Sequence, residues 1–166
     1  MHRFLGLLKN LRLNPNRRLP LVKKRIKAEI PRRGREHILS GHTILIVEDE
    51  LLIRLALREH LEACGFSVLE AADADEAMDL MECHADIALV FSDVRRPGDM
   101  DGIDLAEWIL KHWPGLPVML TSGELGRIKA SEELAAAENF FAFSKPYRYA
   151  EITAKITLAI EKSARG

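Results

Sequence analysis

Apolar residues along this chain come in short runs separated by stretches of helical spacing. Runs of strand length stand at Ile44–Val47, Val68–Leu69, Ile87–Phe91, Pro117–Leu120 and Phe140–Phe143. Between them, Ile53, Leu57, Leu61 and Cys64 form one helical stripe, with Gly65 placed as a C-terminal stop. The Ala-, Met- and Leu-rich stretch Ala72–Cys83 predicts a second helix, which Asp73 can cap. Ile103, Ala106, Leu110 and Trp113 predict a third, ended by Pro114-Gly115, and Glu124–Ala137 a fourth. Tyr149, Ile152, Ile156 and Ile160 predict the last. Strand and helix alternate five times, which predicts an α/β domain with a parallel sheet covered by helices on both faces.

The same rhythm is absent before residue 41. Residues 1–40 carry Pro15, Pro20, Pro31 and Gly34 among many basic side chains, a composition that predicts a poorly ordered extension. Within it, Phe4, Leu7, Leu8 and Leu11 share one helical face. The expected division is therefore a basic arm over 1–40 and a domain over 41–166. Charge follows it: the arm holds 12 Lys+Arg against 2 Asp+Glu (+10), and the remainder 12 against 23 (−11), so the net charge of −1 hides two opposite halves.

A length of 166 residues suits one ordinary domain plus an appendage. No apolar run is long enough for a transmembrane segment, and Met1–Leu13 lacks the pattern of a secretory signal. Cys64 and Cys83 have no metal or redox spacing and are expected to be buried thiols of a protein in the reducing cytoplasm. The six histidines form no ligand spacing.

Chemistry concentrates where the strands end. In an open parallel sheet, functional groups collect beyond the carboxyl ends of the strands. The first strand ends in Glu48-Asp49, the third in Ser92-Asp93, the fourth in Thr121-Ser122-Gly123 and the fifth in Ser144-Lys145-Pro146. Carboxylates about 4 Å apart at an effective dielectric near 20 repel by roughly 4 kcal/mol per pair. Lys145 offsets one charge, and a divalent cation would offset two more. With oxygen ligands only on offer, Mg2+ or Mn2+ is expected rather than zinc. Such a site suits phosphoryl transfer through an aspartyl phosphate.

The segments "ILIVEDE", "VFSDVRRPGDMDG", "MLTSGE" and "FSKPY", in that order, make residues 43–163 resemble the receiver domain of bacterial two-component response regulators. The resemblance implies a flavodoxin-like doubly wound (βα)5 fold with strand order 2-1-3-4-5. It implies Asp93 as phosphoacceptor, and Glu48, Asp49, Asp93 and the backbone carbonyl of Arg95 as ligands of Mg2+. Thr121, Lys145 and the backbone N–H of Ser122 would contact the phosphoryl group, and Lys145-Pro146 would be cis. The implied donor is a sensor histidine kinase or a histidine phosphotransfer protein, docking on Leu51–Cys64. No effector domain follows, so output is expected through a protein partner. The implied role is a signalling switch with only intrinsic phosphotransfer and slow autodephosphorylation, not an enzyme.

Three departures from the family pattern stand out. Arg96 replaces the usual Met, "PGDMDG" carries one extra residue, and Ala142 occupies the position of the usual switch aromatic, flanked by Phe141 and Phe143. An alternative reading makes the basic arm a nucleic-acid or membrane-surface binding module. The arm's lack of interleaved aromatics argues against nucleic acid. A hydrolase with an aspartyl-phosphate intermediate is disfavoured by Arg95, which stands where such enzymes offer a second aspartate.

Overall fold

The computed structural model describes residues 41–95 and 100–164. The basic arm, Arg96 and Pro97–Asp99 lie outside the described residues, and with them the expectations for the arm and for the extra residue of "PGDMDG".

Five strands, β1 (Thr43–Val47), β2 (Ser67–Ala71), β3 (Ile87–Asp93), β4 (Val118–Ser122) and β5 (Phe140–Ser144), form one sheet in the order β2-β1-β3-β4-β5. Every pairing is parallel. Each crossover contains helix: α1 (Leu51–Ala63), α2 (Ala74–Cys83), α3 (Gly102–His112), and the short pair α4 (Gly126–Ala130) and α5 (Glu132–Ala136). The helix α6 (Tyr149–Ser163) follows β5.

The alternation of strand residues sorts the core into two layers. Ile44, Ile46, Leu89, Phe91 and Met119 pack with Leu57 and Leu61 of α1 and Ile152, Ile156 and Ile160 of α6. Leu45, Val47, Val90, Val118 and Leu120 pack on the opposite face with Ala77 and Met81 of α2, Ile103, Leu105 and Ile109 of α3, and Ile128 and Leu134. β1 is an interior strand covered on both sides, which is why it reads as an unbroken apolar run rather than an alternating one.

Several helix boundaries follow from their caps. Gly65 takes a φ of +97° just after α1, a conformation that costs glycine little. Asp73 accepts from the Glu76 amide at 2.9 Å, as expected of a cap. Asp101 and Asp104 cap α3 reciprocally.

Two expectations need correction. The single helix over Glu124–Ala137 is two short ones. Ser131 is extended between them, and its hydroxyl accepts from the Leu134 amide, so the residue starts α5 instead of continuing α4. The two cysteines are not buried: Cys64 is half-buried at the end of α1, and Cys83 is exposed. On α2 the core-facing positions are Ala74, Ala77 and Met81, and a residue two beyond the last of them turns toward solvent.

Candidate functional site at the carboxyl edge of the sheet

β1 delivers Glu48 and Asp49 to the sheet edge. Glu48 is 3% exposed, and its amide continues the sheet by donating to the Ala71 carbonyl at 3.1 Å. Asp49 is exposed. β3 ends in Asp93, itself buried, with one carboxylate oxygen accepting from the Val94 amide at 2.9 Å. One oxygen from each of Glu48, Asp49 and Asp93 lies within 4.8 Å of the others.

The Lys145 ammonium, carried by the end of β5, faces this cluster. It stands 2.9 Å from Asp93 and 3.4 Å from Glu48. The Lys145 amide donates to the Ser122 carbonyl at 2.8 Å, which ties the β5 end to β4, and the Lys145-Pro146 peptide is cis. Burial pushes the Glu48 carboxyl above its usual range, and Asp93 adds to the shift, while Lys145 opposes it. For Lys145, burial works against the charged form, but the hydrogen bond to Asp93 and the charges of Glu48 and Asp93 outweigh it and raise its pKa.

β4 lies beside β3 with Thr121 opposite Asp93 in register. Thr121 is fully buried, and its hydroxyl donates weakly to the Ser92 carbonyl at 3.5 Å. The Ser122 hydroxyl is engaged with the Glu124 backbone, donating to its carbonyl and accepting from its amide. Arg95 follows just after β3, with an exposed side chain 3.3 Å from Glu124. The expected residues Glu48, Asp49, Asp93, Thr121, Ser122 and Lys145 thus stand at one edge, with Arg95 beside them.

The donor set suits a hard divalent cation. Three carboxylates converge without imidazole or thiolate, and one ammonium cannot neutralise them.

Three residues escaped the sequence reading. Gly102 starts α3 so close to the site that a Cβ there would lie 2.2 Å from the Asp93 carbonyl oxygen and 2.8 Å from the Val94 Cα. Its neighbours in "DMDG" gave no hint of that contact. Tyr147, the last residue of "FSKPY", places its phenol beside Thr121 and packs edge-on against Phe91, with centroids 6.0 Å apart. Burial raises its phenol pKa, as do the charges of Glu48 and Asp93. Ala142, at the usual aromatic position, is exposed, so the phenol beside Thr121 comes from beyond β5. The third is Arg54, which bonds the Glu48 carbonyl.

Comparison with known proteins gives a consistent answer. The family model of the response regulator receiver domain matches residues 44–157. The C4-dicarboxylate transport transcriptional regulatory protein DctD of Rhizobium meliloti is 33% identical over 124 residues, which are 74% of this chain and 26% of that protein. Sporulation initiation phosphotransferase F of Bacillus subtilis is 33% identical over 116 residues, 69% of this chain and 90% of that protein. Among solved structures, a CheY-like receiver domain protein from Methanospirillum hungatei superposes with a TM-score of 0.67 at 27% identity, covering 76% of this chain and 98% of that one. Response regulator TrrA of Thermotoga maritima, solved with Mg2+ and BeF, has a TM-score of 0.62 at 25% identity and covers 70% of this chain and 97% of that one. The chain belongs to the response regulator receiver domain family of two-component signalling. Among the described residues, no helix is long and apolar enough to cross a membrane.

Proposed function

We propose that this receiver takes a phosphoryl group onto Asp93 from a phosphohistidine of a sensor histidine kinase or a histidine phosphotransfer protein. A carboxylate oxygen of Asp93 attacks phosphorus, the P–N bond breaks with its electron pair going to nitrogen, and the imidazole, already protonated on its other ring nitrogen, departs as a neutral leaving group. With one Asp93 oxygen held by the Val94 amide, the other faces Lys145. The Lys145 ammonium pairs with the incoming phosphoryl oxygens as charge builds there. The Thr121 hydroxyl and the Ser122 amide serve as further donors to that group. Glu48, Asp49, Asp93 and the Arg95 carbonyl would hold Mg2+, or Mn2+, whose double charge would offset that of the phosphoryl oxygens.

The observation that carries this reading is the convergence of Glu48, Asp49 and Asp93 at the sheet edge of a receiver, with the Lys145 ammonium paired to Glu48 and Asp93. We assign 41–166 to the receiver and 1–40 to an appended basic segment. We place the protein in the cytoplasm and its output in a protein partner bound according to phosphorylation, with slow loss of the phosphoryl group rather than enzymatic turnover. The relative TrrA was solved with Mg2+ and BeF, which supports the choice of ion.

Phosphotransfer from a radiolabelled histidine kinase tests the reading. Label should move to the wild-type chain in Mg2+, and fail to do so in EDTA or with Asp93→Asn. Equal labelling of Asp93→Asn would overturn it.

A further inference from the structure

The peptide that launches Asp49 has a side-chain tie from α1. Arg54, six residues beyond Glu48, donates through Nη1 to the Glu48 carbonyl. Its Nε lies 3.5 Å from the Glu70 carboxylate on β2. Arg58, one turn further along α1, holds the same carboxylate at 2.6 Å. The Arg54 side chain is 15% exposed and that of Glu70 24%, so both are largely shielded from solvent.

The Glu48 carbonyl and the Asp49 amide share one rigid peptide plane. Whatever fixes that carbonyl also fixes the direction in which Asp49 leaves the strand. Among the described residues, no hydrogen bond or ion pair restrains the Asp49 carboxylate itself. Its position beside Glu48 and Asp93 therefore depends on the backbone that Arg54 holds. Glu48 is restrained differently, by Lys145 on its carboxylate and by the Ala71 pairing on its amide.

We propose that Arg54, oriented by Glu70, is a positioning residue for the divalent ion. It holds the Glu48–Asp49 peptide so that the Asp49 carboxylate stays with the other two. The inference rests on the metal-binding part of the proposed function and extends it to a pair of residues outside the ligand set.

Two effects of Arg54 on the ion have opposite signs, and that makes the idea testable. As a nearby cation, it repels Mg2+, so removing its charge strengthens binding. As a positioning group, it orders a ligand, so removing it weakens binding. Groups that orient metal ligands typically contribute about tenfold or more in affinity.

The test is a Mn2+ titration of the full chain, following the free ion by EPR, with Mg2+ as competitor. Variants are Arg54→Met, which removes the charge and keeps the stem, and Arg54→Lys, which keeps the charge and loses the planar fork. Circular dichroism and thermal unfolding in EDTA show whether each is folded at the titration temperature. For a folded protein, a loss of stability alone leaves the dissociation constant unchanged. Both variants should bind Mn2+ about tenfold more weakly than wild type. Arg54→Lys, the milder change, decides the matter if Arg54→Met does not fold. Unchanged binding by Arg54→Lys, or unchanged or tighter binding by folded Arg54→Met, overturns the proposal and leaves Arg54 as a bystander charge. Wild type that binds no Mn2+ would instead refute the metal site itself, and this inference with it.

Discussion

Replacing Lys145 with Met removes the ammonium from a cluster of three carboxylates, and the geometry sets the size of the effect. At an effective dielectric near 20, unit charges at the observed 2.9 and 3.4 Å attract by about 6 and about 5 kcal/mol. The three carboxylate oxygens lie within 4.8 Å of one another, so each pair repels by at least about 3.5 kcal/mol, and three pairs by at least about 10 kcal/mol. The repulsion in the metal-free protein is therefore at least comparable to the attraction that Lys145 supplies. Water reduces every figure, since Asp49 is exposed and the Lys145 side chain is 27% exposed. Removing one partner of a buried ion pair costs about 3–5 kcal/mol, and this partial exposure points to the low end, about 3 kcal/mol.

The assay is urea unfolding of wild type and Lys145→Met in EDTA, near neutral pH and again near about pH 5. Glu48 already has a raised pKa, and loss of Lys145 removes an influence that lowers it. The folded variant thus binds a proton more readily than the unfolded chain does. Its deficit is full above the raised Glu48 pKa and shrinks as pH falls through it. Saturating Mg2+ should shrink the deficit in the same way. A deficit of equal size at both pH values, with and without Mg2+, would refute the electrostatic reasoning and leave Lys145 a packing residue.

Other outcomes follow from single contacts. Gly102→Ala sets a methyl group against the Asp93 and Val94 backbone, which cannot yield as a side chain would, so it should cost about 1–3 kcal/mol by thermal unfolding. The same variant should also slow phosphorylation, measured by phosphotransfer rate. Burial holds the His60 pKa below its ordinary 6.5, and the Tyr149 backbone carbonyl, as an acceptor for the ring, opposes the shift. The folded imidazole stays neutral where the unfolded one charges, so stability falls as pH drops from 6.5 through the folded pKa; urea midpoints of His60→Gln should fall less over that range. Asp101→Ala removes the α3 cap, including bonds to the Ile103 and Asp104 amides, and should lower stability by about 1 kcal/mol in chemical denaturation.

Much of the fold was legible because it depends on local patterning. β1 and β3 are buried on both faces and so appear as continuous apolar runs, and Asp73 and Gly65 mark helix ends by their own backbone preferences. Convergence of the acids could be read because each follows directly on a strand, and a parallel sheet puts those ends on one side. Contacts made across the fold were not legible. The Tyr147 phenol reaches Thr121 only after the chain has passed the end of β5, and Gly102 meets Asp93 only because α3 starts against β3. The break at Ser131 escaped notice because its flanking residues favour helix, while its hydroxyl caps the next turn instead. The exposure of Cys83 was missed because its type suggests burial, whereas the face of α2 on which it lies does not.

The central claim is that Asp93 carries the phosphoryl group, and the chemistry of that bond allows a direct test. The chain is phosphorylated by its histidine kinase in Mg2+, reduced with borohydride, which converts an aspartyl phosphate to homoserine, and mapped by peptide mass spectrometry. The account predicts homoserine at position 93 and no other converted site. An unconverted Asp93 in a chain that has taken up phosphate, or conversion at another carboxylate, would contradict it.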